Sequence, residues 1–244
     1  MSAGLNLAGA AAAPMVAGPA QALRALFSPE VAVALSDPRA PQPAPWPAEA
    51  PAIARAAPAR AREFAAGRAA ARDAMIQLGR APAAVASGAD RAPIWPEGLT
   101  GSISHTTDRC IAALAPCDRV RAIGTDIEDA SPLAPDLIPE ICTLAERAWL
   151  ACQPEAARGI LAKLIFSAKE CAYKCQYPLT GLLLDFDTFE ITPDLDTGQF
   201  EATLSRPVGT LAAGTCLAGR FLIAQDLIAC GITLGRSPRW GIGQ

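Results

Sequence analysis

The sequence is poor in charge, in aromatic rings and in histidine. Charged residues fill 18% and aromatic residues 5% of its 244 positions, and His105 is the lone histidine. One histidine, with eight cysteines scattered and none in a Cys-x-x-Cys pair, gives no zinc-ligand spacing. The cysteines read instead as small buried thiols. A net charge of −3 lacks the basic surplus of a nucleic-acid binder. Pro, Arg or Gly breaks every apolar run well short of about 20 residues, so no membrane span is expected. The Ala-rich N-terminus has no basic leader and reads as a loosely ordered tail, which leaves the cytoplasm as the default location. Lysine is scarce as well: Lys163, Lys169 and Lys174 are all the chain has, and they fall within twelve positions.

What is present suffices for a folded protein. Half of the residues are apolar, many of them alanine, and the length suits one large domain or two halves of roughly 120 residues. Residues 1–50 are rich in Ala and Pro and cannot form one long helix. A helix is expected from Pro58 to Gly79, with Phe64, Ala71, Met75 and Leu78 on one face and Arg60, Arg62, Arg68 and Arg72 elsewhere. Strands are expected at Ser102–Ser104 and Cys110–Ala115, around a turn at Thr106–Arg109, and again across Ile123–Glu128, where apolar and polar residues alternate. Thr143 and Glu146 form a capping box. A longer helix follows from Ala156 to Cys175, ending before Pro178, and strands occupy the remainder, beginning with LLLDFDTFEI. These patterns divide the chain into a segment 1–50, an α/β half 51–120 and an α/β half 121–244.

Three places concentrate chemistry. A chain that otherwise uses arginine but places lysine on one helix needs a compact point charge there. That helix sets Lys163, Ser167, Glu170 and Lys174 on one stripe, opposite Leu161, Leu164, Ile165, Ala168, Ala172 and Cys175. Asp126 and Glu128, two apart on a strand, point to one face and repel unless a cation sits between them. Converging carboxylates with open water positions suit Mg²⁺, provided Glu170 reaches the same place. His105 ends the run GSISH, where Ser102, Ser104, Thr106 and the Gly101 backbone offer donors to an anion.

GSISHT (101–106), IGTDIE (123–128) and FSAKECAYKCQYPLTG (166–181) together resemble, in order and separation, the three motifs of 4′-phosphopantetheinyl transferases. The likeness is to the surfactin-type class, in its branch similar to enterobactin synthase component D. It spans roughly residues 50–200, with Phe166 standing where the broader family has Trp and Ser87 where some relatives carry a coenzyme A-binding Lys. The resemblance implies two similar α/β halves related by a pseudo-two-fold, with the active site in the cleft between them. It implies transfer of the phosphopantetheine arm of coenzyme A to a serine of an apo acyl or peptidyl carrier protein, releasing 3′,5′-ADP. Asp126, Glu128 and Glu170 would hold Mg²⁺, with Mn²⁺ an alternative. Glu170 would act as base, and Lys169 and Lys174 would face the phosphates. His105, beside Ser104, would contact a coenzyme A phosphate. Arg60 and Arg68 would hold the 3′-phosphate, with Arg72 and Arg91 as helpers. A monomer is expected, engaged with neither membrane nor nucleic acid, with the Pro-rich loop at 131–139 near the carrier.

Overall fold

The computed structural model describes residues 19–224 and 226–236. Two antiparallel sheets, each backed by one long helix, build the protein. The first has the order β1 (Ala32–Ser36), β5 (Cys110–Pro116), β4 (Leu99–His105). The second has the order β6 (Val120–Asp129), β10 (Leu227–Gly235), β9 (Cys216–Ile223), β8 (Gln199–Leu204), β7 (Phe189–Asp194). A short hairpin of β2 (Ala86–Ser87) and β3 (Pro93–Ile94) stands apart. Every strand pairing is antiparallel, so the mixture of helix and strand expected from the sequence takes an α+β form.

Helix α2 (Pro58–Gln77) packs on the first sheet through Ala70, Ala71, Ala74 and Met75. Alanine suits this face because it lets the helix axis approach the strands closely. Helix α5 (Glu155–Thr180) covers the second sheet through Leu161, Leu164, Ile165, Ala168 and Ala172. This is the apolar stripe read from the sequence. The short helices α3 (Ile138–Ile141) and α4 (Leu144–Ala151) precede it, and the Thr143–Glu146 capping box opens α4 as expected. Among the described residues no helix is long and apolar enough to cross a membrane.

Three expectations need correction. The Ala-rich tail expected to be loose up to residue 23 is part of the fold at residues 19–23: helix α1 (Pro19–Arg24) and, after it, β1 belong to the fold, and Leu23, Leu26, Phe27 and Val31 are buried with Ile123 and Ile127 of β6. Their apolar side chains fill the junction between the sheets, a role that Ala/Pro composition conceals; residues 1–18 lie outside the described ones. Helix α5 runs past Pro178 to Thr180, tolerating the missing N–H and the crowding of the carbonyl four residues back within its last turn, and the left-handed Gly181 (φ 67°) caps the end. The LLLDFDTFEI segment is extended only from Phe189, since Phe186–Thr188 form a 3₁₀ turn. The cysteines are all free, and Cys110, Cys142, Cys171, Cys175 and Cys230 are buried as read; burial pushes the Cys142 thiol up to about 11 and the Cys175 thiol up to about 12.

Gly124 sets the spacing between β6 and α5. A Cβ there would lie 2.0 Å from the Cys171 carbonyl oxygen. Gly124→Ala should therefore push helix and strand apart and destabilise the protein by about 3 kcal/mol, the upper end for overpacked cores. Urea unfolding checks this; a change below about 0.5 kcal/mol would show that the two backbones are not in forced contact.

Candidate active site

A cavity of about 940 Å³ lies between the two helix-backed sheets. Its walls come from α2 (Arg60, Glu63, Phe64, Arg68), the β2–β3 hairpin, β4 (Ser104, His105), β6 (Asp126, Glu128) and α5 (Phe166, Glu170, Lys174). Residues far apart in sequence thus face one space. Ile127 points the other way into the apolar junction, as strand alternation requires.

Asp126 is the node of the site and is 2% exposed. Its Oδ1 accepts from Lys174 Nζ at 2.6 Å and from Ser104 Oγ at 2.9 Å, and its Oδ2 accepts from Ser167 Oγ at 2.8 Å. Strands β4, β6 and helix α5 therefore meet on one carboxylate. Ser104 Oγ also accepts from Lys174 Nζ at 3.1 Å and from the Ile127 N–H at 3.3 Å. Ser102 Oγ likewise accepts from the Thr125 N–H at 3.1 Å. Adjacent edge strands of different sheets are thus joined by serine hydroxyls. A carboxylate offers about four lone-pair sites; three are taken, and one on Oδ2 remains.

The other acids are less satisfied. Glu128 Oε2 is 3.6 Å from Lys163 Nζ, an ammonium that also lies 3.8 Å from Asp129 Oδ1. Burial, reinforced by the charge of Asp126, pushes the Glu128 carboxyl up to about 7. Glu170 is half-buried and makes no side-chain hydrogen bond or ion pair among the described residues. Burial raises its pKa, and nearby Lys174 pulls in the opposite direction. Lys174, which burial alone would lower, is raised by Asp126 and stays an ammonium.

The α2 side is cationic. Arg60 Nη1 contacts His105 Nε2, while Glu63 Oε2 sits 3.4 Å from Arg60 Nη1 and 3.6 Å from His105 Nδ1. Burial and the Arg60 charge lower the His105 pKa. Guanidinium only donates, so His105 Nε2 must be the acceptor, which leaves the ring proton on Nδ1 facing Glu63. Arg68 is buried against the Phe64 ring, 4.2 Å from its centroid, and donates to the Val85 carbonyl and to Ser87 Oγ. No carboxylate pairs with it among the described residues. Burial lowers Arg68 to about 10, so it remains a cation at neutral pH.

The structure reassigns some expected roles. Lys169 is absent from the wall of the large cavity: its Nζ is 2.8 Å from Glu146 Oε2, 2.8 Å from the Ile141 carbonyl and 2.7 Å from the Phe186 carbonyl. All three N–H donors are used inside the fold, because position 169 falls on the far side of α5 from Lys174. Lys174 pairs with Asp126 and not with its helix neighbour Glu170. Arg72 is held by Glu49 at 2.9 Å and lies off the cavity wall. Asp126, Glu128 and Glu170 do share the cavity, yet no three His, Cys, Asp or Glu among the described residues close into a ready-made cation cage. Two participants escaped the sequence reading: Glu63 as the partner of His105 and Ser167 as a donor to Asp126. Ser167 carried a signal, since it lay on the lysine stripe; Glu63 carried none, hidden among arginines.

Comparison with known proteins agrees with the geometry. The family model described as 4′-phosphopantetheinyl transferase N-terminal domain matches residues 48–115, and that of the 4′-phosphopantetheinyl transferase superfamily matches residues 122–221. The chain is 37% identical over 200 residues to 4′-phosphopantetheinyl transferase Svp of Streptomyces mobaraensis, covering 78% of each. It is 38% identical over 196 residues to 4′-phosphopantetheinyl transferase Npt of Nocardia iowensis, covering 76% of this chain and 87% of the relative. Enterobactin synthase component D of Salmonella typhi is 38% identical over 133 residues, 53% of each chain.

The reassignment of Lys169 is testable. Lys169→Met should destabilise the protein by about 3–5 kcal/mol, because it strands the Glu146 carboxylate, which is 2% exposed. A second change, Glu146→Gln, should recover part of that loss. Denaturant unfolding of the single and double variants measures both; a single variant as stable as wild type would return Lys169 to the cavity.

Proposed function

The chain belongs to the 4′-phosphopantetheinyl transferase superfamily, enzymes that move the phosphopantetheine arm of coenzyme A to carrier proteins, and we propose that the cavity between α2 and α5 is where this chain does so. The observation that carries the reading is Glu170. It is a half-buried carboxylate without a partner, one helical turn from an ammonium held by Asp126, on the wall of a cavity whose opposite side is cationic.

Coenzyme A is an elongated polyanion, and the cavity is polarised to match it. Arg68 and Arg60 on α2 offer cationic donors for the 3′-phosphate, and His105 on β4 and Lys174 on α5 face the same space for the pyrophosphate. Arg68 is suited to a phosphate because its neighbours are a carbonyl, a hydroxyl and a ring, and none of these neutralises it. A second cavity of about 270 Å³, lined by Tyr173, Leu184, Phe186 and Phe189 together with Lys169 and Asp185, shares Glu170 with the first. Its apolar wall suits the uncharged pantetheine arm.

The donor set fits a divalent cation of the Mg²⁺ class. Asp126 retains one free lone pair, Glu128 is pushed up to about 7 by burial with the Asp126 charge adding to it, and Glu170 has no partner among the described residues. Mg²⁺ usually takes one or two carboxylates and completes its shell with water and substrate phosphate, so an open set serves it better than a closed cage. Bound there, it would neutralise charge developing on the pyrophosphate as the transfer proceeds.

The remaining chemistry is positioning and one proton transfer. The carrier serine oxygen attacks the phosphorus that bears the pantetheine arm. A new P–O bond forms, the P–O bond to the nucleotide breaks, and 3′,5′-ADP departs with the electron pair. The serine proton passes to Glu170, whose raised pKa makes it a stronger base than an exposed carboxylate. Lys174, fixed by Asp126 and Ser104, presents its ammonium to the transferring phosphoryl group. The acceptor is a carrier domain of peptide, polyketide or siderophore assembly. All of these groups sit on one chain, so a monomer is competent.

Glu170→Gln should lower loading of an apo carrier domain by about 10²–10⁴-fold while calorimetry still detects coenzyme A binding. Mass spectrometry of the carrier follows the reaction, and an undiminished rate would remove Glu170 as base. Cation binding should also titrate. Glu128, raised to about 7, must lose its proton to ligate, so Mg²⁺ affinity should fall roughly tenfold for each pH unit below that value. The raised pKa also means that the cation-free fold loses stability as pH rises from the ordinary carboxylate range towards 7, a loss that Mg²⁺ should offset. Calorimetry and thermal unfolding with Mg²⁺ alone measure both effects; an affinity that is flat with pH would exclude Glu128 as a ligand.

A further inference from the structure

The β2–β3 hairpin reaches over the cavity from the α2 side, and its tip touches α5. Tyr177 Oη donates to Asp90 Oδ2 at 2.5 Å. Among the described residues this is the one side-chain hydrogen bond joining the hairpin tip to α5; Arg68 ties the hairpin's other end to α2. The contact lies less than one helical turn beyond Lys174, so it spans the cavity at its rim.

The turn is built around that same carboxylate. Asp90 Oδ1 accepts from the Ala92 N–H at 3.0 Å, and the Arg91 N–H donates to the Gly88 carbonyl at 2.9 Å. A Cβ at Gly88 would collide with Asp90 Oδ1. Between these bonds Arg91 is held at φ 67°, the only non-glycine residue at positive φ among the described residues. A side chain other than Gly resists this backbone, and such strain persists where the surroundings enforce it. Arg91 lines the cavity, is exposed, and has no ion-pair partner among the described residues. On the other side of the bond, the Tyr177 ring leans on Tyr173, with centroids 5.7 Å apart, and Tyr173 walls the smaller cavity.

We infer that the Tyr177–Asp90 hydrogen bond is a latch: it fixes the hairpin across the cavity rim and positions the Arg91 guanidinium towards the nucleotide end of the bound substrate. This rests on the reading of the cavity as the coenzyme A site and adds two positioning residues, Tyr177 and Asp90, together with a cation they aim. The bond lowers the Asp90 carboxyl and raises the Tyr177 phenol, as a neutral phenol donating to a carboxylate should. Asp90 is exposed, Tyr177 half-buried and the bond itself at the surface, so the hydroxyl and the carboxylate contribute little to the fold; their part is to hold the hairpin beside the bound anion.

Stopped-flow dissociation of 3′,5′-ADP, in the full-length protein with Mg²⁺, tests the latch. Tyr177→Phe and Asp90→Asn should each speed dissociation roughly 3–10-fold and raise KM for coenzyme A. The double variant should be no faster than the faster single one, since both remove one bond. Arg91→Ala should also speed dissociation, and adding Tyr177→Phe to it should change little. Thermal unfolding of all variants should match wild type. Unchanged dissociation in both single variants would overturn the latch and leave the cavity assignment standing. Full additivity of Arg91→Ala with Tyr177→Phe would overturn the positioning of Arg91. Failure of the wild-type protein to bind 3′,5′-ADP would overturn the cavity reading and the latch with it.

Discussion

The Asp126 carboxylate, held by Lys174, Ser104 and Ser167, is the contact on which the rest of the site depends. It joins a strand of each sheet to the helix that carries the unpartnered acid. A buried ion pair of this kind stabilises little by itself, because desolvation offsets much of the attraction. Its value here is positional. It fixes the ammonium, the neighbouring carboxylates and the edge strand bearing His105 in one frame, with all the partners of Lys174 rigid.

The seam between the sheets explains how a wide cavity coexists with a firm base. Two sheets that continued into one another would leave little space between their helices. Here β4 and β6 remain edges of separate sheets, bridged by Ser102 and Ser104 hydroxyls taking backbone N–H groups of Thr125 and Ile127. The cavity lies above this seam, walled by α2 on one side and α5 on the other. Below it, Leu23, Leu26, Phe27 and Val31 close the junction with apolar surface. The close approach of α5 to β6 at Gly124 completes the frame. A displacement at any of these points reaches the site through Asp126.

Charge is segregated within the cavity. Arg60 and Arg68 lie on α2; Asp126, Glu128 and Glu170 lie on β6 and α5. Arg68 is kept free by neighbours that do not neutralise it, while Lys169, of the same sign and on the helix that bears Glu170, is consumed by Glu146 and two carbonyls. Each of the three lysines pairs with a carboxylate, Lys163 with Glu128, Lys169 with Glu146 and Lys174 with Asp126.

Local patterns in the sequence determined much of this. Alternation placed Asp126 and Glu128 on one face, the helical stripe placed Ser167, Glu170 and Lys174 together, and the capping box opened α4, because each follows from the period of a single element. The order and spacing of three motifs determined the family. Tertiary structure alone decided which lysine lines the large cavity and which braces the core, since neighbouring positions on a helix differ by 100° and their partners come from other segments. It alone recruited Leu23, Leu26, Phe27 and Val31 into the sheet junction and paired Glu63 with His105 and Tyr177 with Asp90. Those contacts join residues 40 to 90 positions apart or more, and no local period encodes a distance that only chain folding sets.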